Sequence, residues 1–139
     1  MTQASNTPPT SKPSSAAISK VLLVGHCGFD SGSLTHLVSS AMNLTAARVN
    51  SDDALAKEAG ADTLLLINRV LDGHFQASDG VELVQQLASQ DGTPKMMVIT
   101  NYPDVQEKAV ASGALPGFGK NDISSPDVSQ RLKALTQKA

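Results

Sequence analysis

Residues 63–67 read Thr63-Leu64-Leu65-Leu66-Ile67 and are followed by Asn68. Successive side chains of a strand point to opposite faces, so an unbroken aliphatic run of this length is buried on both. That is the condition of a parallel strand with helices packed on each side of its sheet. Val21-Leu22-Leu23-Val24 and Met96-Met97-Val98-Ile99 have the same character and are bounded, like the first run, by Gly, Asp or Pro nearby. They are too short for helices and predict three buried strands.

The stretches between these runs are amphipathic. Leu34, Leu37, Val38, Ala41 and Met42 share one helical face, with Asp30 or Ser31 expected as the N-cap. Ser51-Asp52-Asp53 opens a second helix ending at Gly60, and Asp79-Gly80-Val81-Glu82 is a capping-box-like start for a third. Pro103-Asp104 starts a fourth that stops at Gly113, and Ser125-Pro126-Asp127 starts a fifth. Ala46–Val49 and Leu115–Gly119 supply two weaker strands, so strands and helices alternate strictly. Five βα units with right-handed crossovers predict an α/β fold of the flavodoxin-like (βα)5 class. This is a three-layer sandwich with parallel sheet order 2-1-3-4-5 and any site at the carboxyl ends of the strands.

Composition narrows the function classes. The chain has 139 residues, and residues 1–18, dense in Ser, Thr and Pro, are expected to be a disordered tail ahead of one folded unit at 19–139. Eleven basic against thirteen acidic residues, with no Lys/Arg block, give a net charge of −2 and no nucleic-acid footprint. No apolar run approaches the ~20 residues of a membrane span, and the N-terminus lacks a secretory core, so a soluble cytoplasmic protein is expected. The single cysteine, Cys27, excludes an intrachain disulfide.

The strand ends carry the chemistry. The first strand runs into Gly25-His26-Cys27-Gly28-Phe29-Asp30, the third ends at Asn68, the fourth at Thr100-Asn101-Tyr102 and the fifth at Lys120. With the Asp79-Gly80 pair opening helix 3 and the "VASGALPGFGK" approach to Lys120, the chain from about Lys20 onward resembles the receiver domain of bacterial two-component response regulators. The resemblance implies Asn68 at the phosphoacceptor position and Thr100 and Lys120 as switch residues. It also implies Gly25 and His26 where the family has its metal-binding acidic pair. Mg²⁺ needs carboxylate oxygens, and an amide is no phosphoacceptor. The resemblance therefore implies an atypical, phosphorylation-independent receiver, neither an enzyme nor a metal or cofactor protein. It would act on a protein partner, such as a kinase or another regulator, through the helix 4–strand 5–helix 5 face, where receivers also form homodimers. No output domain is expected after helix 5, so signalling would be by binding. Lys120 is expected to bond the Asn68 carbonyl or to pair with Asp72 or Asp30.

Other readings of these residues remain open in the sequence. The loop from Gly25 to Ser33 is a candidate small-ligand or phosphate cradle with Cys27 as nucleophile, although Ser33 stands where a phosphatase loop needs Arg. His26, Cys27, Asp30 and His74 are candidate zinc ligands without the spacing of a zinc motif. Flavin binding is the cofactor alternative for this fold, and Gly25, Gly28 and Gly32 do not form a dinucleotide fingerprint. The long loop carrying Arg69, Asp72, His74 and Phe75 is a candidate pocket lid or partner contact, with Arg69 and Asp72 able to pair.

Overall fold

The computed structural model describes residues 17–26, 28–90 and 94–136. The five strands are β1 (Lys20–Val24), β2 (Ala46–Val49), β3 (Thr63–Asn68), β4 (Lys95–Ile99) and β5 (Leu115–Phe118). The five helices are α1 (Gly28–Met42), α2 (Asp52–Glu58), α3 (Gly80–Ala88), α4 (Pro103–Ala111) and α5 (Pro126–Leu135). All strand pairs are parallel, in the order β2-β1-β3-β4-β5, as the sequence predicts.

The two-sided burial read from residues 63–67 is realised on β3. Leu64 and Leu66 pack with α1 and α5 residues such as Leu34, Val38, Val128 and Leu132. Leu65 and Ile67 face the opposite layer, with Leu55, Leu83, Val84 and Ala109. All four β3 side chains are fully buried, each contributing about 1.5–3 kcal/mol of transfer free energy. Ile18 lies in the first of these cores and its N–H donates to Leu135 O at 2.8 Å. The folded unit therefore includes Ile18, which the sequence placed in the tail; residues 1–16 of that tail lie outside the described residues.

Local signals set most helix starts. Ser51 caps α2 by accepting from Ala54 N at 3.1 Å. Asp79 caps α3 by accepting from Glu82 N at 2.9 Å, while Glu82 accepts from Ser78 N, one position before the cap. Pro103 and Pro126 occupy first-turn positions of α4 and α5. Helix α1 differs: it begins at Gly28, so Asp30 lies inside its first turn rather than at the cap. Strand β5 ends at Phe118, and Lys120 sits in a short 3-10 turn, Lys120–Asp122.

No helix among the described residues is long and apolar enough to cross a membrane.

Candidate functional site

The carboxyl end of β1 is closed by backbone. Gly25 adopts φ +74, and its N–H donates to Val49 O at 3.1 Å. Its carbonyl accepts from Asp72 N at 2.9 Å and from Asn68 Nδ2 at 3.2 Å. A Cβ at Gly25 would lie 2.7 Å from Leu71 Cδ2, so the position has neither the conformation nor the room for a side chain, acidic or otherwise.

His26 turns inward. It is fully buried, and its Nε2 lies 2.8 Å from Leu66 O, which assigns the ring proton to Nε2. Burial pushes its pKa down to about 4. The Leu66 bond and the Asp30 charge oppose that shift, while the Lys120 and Arg48 charges add to it. The imidazole is neutral near pH 7 and is part of the core. His26 therefore does not line the pocket for which the sequence proposed it.

Asn68 is a brace. Its amide group donates to Gly25 O at 3.2 Å and to Val70 O at 2.7 Å, committing both hydrogens to backbone carbonyls. The loop that follows is pinned across the ends of β1 and β2. Asn50 Nδ2 donates to Asp72 O at 2.6 Å, His74 N to Asn50 O at 2.8 Å, and Asp52 N to His74 O at 3.2 Å. Gln76 N donates to Asp52 Oδ2 at 2.9 Å, and Ser51 and His74 form a parallel bridge. The long connector is thus an ordered cover, with Leu71 and Phe75 packed on the core and Asp72 and His74 exposed.

Beside this cover lies a half-open cleft of about 130 Å³ lined by Asn68, Arg69, Val70, Ile99, Thr100, Asn101, Tyr102 and Lys120. Thr100 is buried, and its Oγ1 accepts from Tyr102 N at 3.2 Å. The Arg69 guanidinium carbon stands 5.1 Å from the centre of the Tyr102 ring, a cation–π contact, and Arg69 does not pair with Asp72. Lys120 Nζ donates to Asp30 Oδ2 at 2.6 Å. Of the partners foreseen for Lys120, the structure selects Asp30, and Asp30 serves that pairing from the first turn of α1.

Asn68, Arg69, Thr100, Tyr102 and Lys120 line one cleft, which His26 does not, and of the two roles expected for Asp30 the structure shows the pairing with Lys120 and not the cap. Asp72 contributes backbone groups to the cover, and Cys27 lies outside the described residues. Among the described residues no three His, Cys, Asp or Glu side chains are grouped to hold a metal, and His26 and His74 point to different environments.

Two structural residues were missed. Asn50 ties the cover to β2. Gln106 of α4 inserts its amide into the irregular β4–β5 pairing: its Nε2 donates to Val98 O at 2.8 Å, and its Oε1 accepts from Gly117 N at 3.1 Å. The available signals were Pro116-Gly117 within a strand, which marks a bulge, and a polar Gln106 three residues before the buried Ala109 of α4. A Cβ at Gly117 would fall 2.2 Å from Val98 O, so only glycine permits this approach.

No protein-family model matches the chain, and no curated protein matches it. Solved structures do. A protein described as a response regulator from Chloroflexus aurantiacus J-10-fl superposes with a TM-score of 0.67 at 16% identity, over 86% of this chain and 98% of its own. The signal receiver domain of a DNA-binding response regulator from Colwellia psychrerythraea 34H gives 0.63 at 15% identity, over 85% and 97%. The signal receiver domain of a signal transduction histidine kinase from Syntrophus aciditrophicus gives 0.62 at 16%, over 87% and 94%. What is shared at these identities is the fold: the chain has the architecture of a receiver domain.

Proposed function

We propose that this chain is an atypical receiver-like signalling module that works by docking a protein partner and whose state is not set by aspartyl phosphorylation. One observation carries the reading: the acceptor position holds Asn68, and its amide is committed to Gly25 O and Val70 O. Phosphoryl transfer needs a nucleophilic carboxylate and a cation held by further carboxylates. Here an amide stands where the nucleophile is needed, and the β1 end offers a glycine without side-chain room and a histidine buried against Leu66.

The α4–β5–α5 face is the proposed docking surface. A shallow groove of about 460 Å³ between Gln106, Val110, Ala111, Pro116 and Gly117 lies on it, and Val110 is 43% exposed. The partner is a signalling protein such as a histidine kinase or another regulator, or a second copy of the chain. Such roles are consistent with the receiver fold, which occurs within both a kinase and a DNA-binding regulator among the structural neighbours.

The test is incubation with acetyl phosphate and Mg²⁺ followed by intact-mass measurement. The expected result is an unchanged mass; stoichiometric, acid-labile phosphate on the protein overturns the reading.

A further inference from the structure

The cleft at the ends of β3 and β4 has an unusual charge balance. Two cations, Arg69 and Lys120, line it, and none of its lining residues carries a carboxylate. Asp30 reaches Lys120 from outside the lining set and uses one of three ammonium hydrogens, leaving two. The Arg69 guanidinium carbon lies over the Tyr102 ring, and among the described residues Arg69 forms no ion pair, although it also lines a neighbouring depression with Asp79 and Glu82. The volume of about 130 Å³ corresponds to roughly four waters at ~30 Å³ each, enough for a carboxylate group but not for an extended ligand.

The walls indicate what carries the carboxylate. Val70 and Tyr102 line the same cleft and are each 56% exposed, two of the three large apolar side chains left open among the described residues. A free anion would meet the cations but leave this apolar surface in water. An acidic side chain on a protein surface satisfies the cations and covers Val70 and Tyr102 at the same time.

We propose that the cleft receives an Asp or Glu side chain of a partner protein, flanked on that partner by apolar residues, with Arg69 and Lys120 as its charge partners. The inference rests on the docking reading and names the chemistry of the partner. It also places a contact at the carboxyl ends of β3 and β4, outside the α4–β5 groove.

The full-length ¹⁵N-labelled chain is titrated at constant ionic strength with acetyl-Leu-Asp-Leu-amide, with acetyl-Leu-Asn-Leu-amide and with inorganic phosphate. The Asp peptide is expected to give saturable shifts at Arg69, Asn101, Tyr102 and Lys120. Its affinity should exceed that of the Asn peptide by about tenfold or more, and Arg69→Gln should remove that preference while lowering the melting temperature by no more than a few degrees, the loss of the Tyr102 contact. Equal binding of the two peptides, shifts located elsewhere, or phosphate binding more tightly than the Asp peptide overturns the proposal. The same sample is exposed to acetyl phosphate and Mg²⁺ and weighed. An added phosphoryl group sinks the phosphorylation-independent reading, whereas an unchanged mass without peptide binding sinks the carboxylate site alone.

Discussion

Lys120 Nζ and Asp30 Oδ2 meet at 2.6 Å across ninety positions of sequence, joining the turn after β5 to the first turn of α1. Their side chains remain 37% and 24% exposed, so solvent screens the pair. A double-mutant cycle of Asp30→Asn and Lys120→Met is expected to give a coupling of about 0.5–1 kcal/mol. The coupling, read from urea midpoints, should shrink toward zero in 1 M salt; a salt-independent value would mean the pair is not what joins the two turns.

His26 makes stability pH-dependent. Its folded pKa of about 4 lies below the 6.5 of an exposed histidine, so the unfolded chain binds more protons between these values. The sign follows: the contribution is fully present above about 6.5 and is lost as pH falls through 4. At full extent the shift corresponds to about 3 kcal/mol. Urea unfolding of His26→Leu beside the parent chain should show the parent losing stability relative to the variant across this window. Parallel curves would refute the assignment.

Replacing Asn68 by Asp sets a carboxylate against Gly25 O and Val70 O, where the amide now donates. The charged form loses both donated bonds and faces two carbonyl oxygens, a cost that Arg69 and Lys120 in the same cleft offset only in part. Asn68→Asp is therefore expected to be less stable than the parent by about 1–3 kcal/mol at pH 7 and at pH 5. It should still take no phosphate from acetyl phosphate and Mg²⁺, since Gly25 and His26 supply no carboxylate. Intact mass and thermal melts at pH 7 and pH 5 check both points.

Gln106→Leu leaves Gly117 N–H and Val98 O without the partner that bridges them across the β4–β5 irregularity. The expected cost is about 1–3 kcal/mol. Faster hydrogen exchange at the Gly117 amide should accompany it, while the Asn50–His74 clasp stays protected. Uniform acceleration across the sheet would mean that Gln106 has no local role.

The secondary structure was legible because each element announced itself locally. Burial on both faces marks β1, β3 and β4, Ser51 and Asp79 are caps whose side-chain bonds close over three residues, and Pro103 and Pro126 sit where a helix can start without an N–H. The alternation of elements, with the right-handedness of βαβ crossovers, then leaves few sheet orders, and the observed one is the order expected. The types of residue at the strand ends were equally fixed by sequence: an amide at Asn68, a hydroxyl at Thr100 and an ammonium at Lys120.

Tertiary structure alone decided what those residues do. Whether Asp30 caps its own helix or reaches across to Lys120 depends on where α1 begins and how α1 and the turn after β5 are set side by side, which no local spacing encodes. His26 looked like a pocket residue because it follows a strand, but the positive φ at Gly25 and the Leu71 packing above it send the imidazole into the core. The loop after Asn68 read as a candidate lid or partner contact, and long-range backbone bonds to Gly25 and Asn50 make it a fixed cover. Periodicity and capping are properties of neighbours in the chain. The partners of a charge, a buried imidazole or a loop amide are set by residues some twenty to ninety positions away, and only the packed fold brings them within bonding distance.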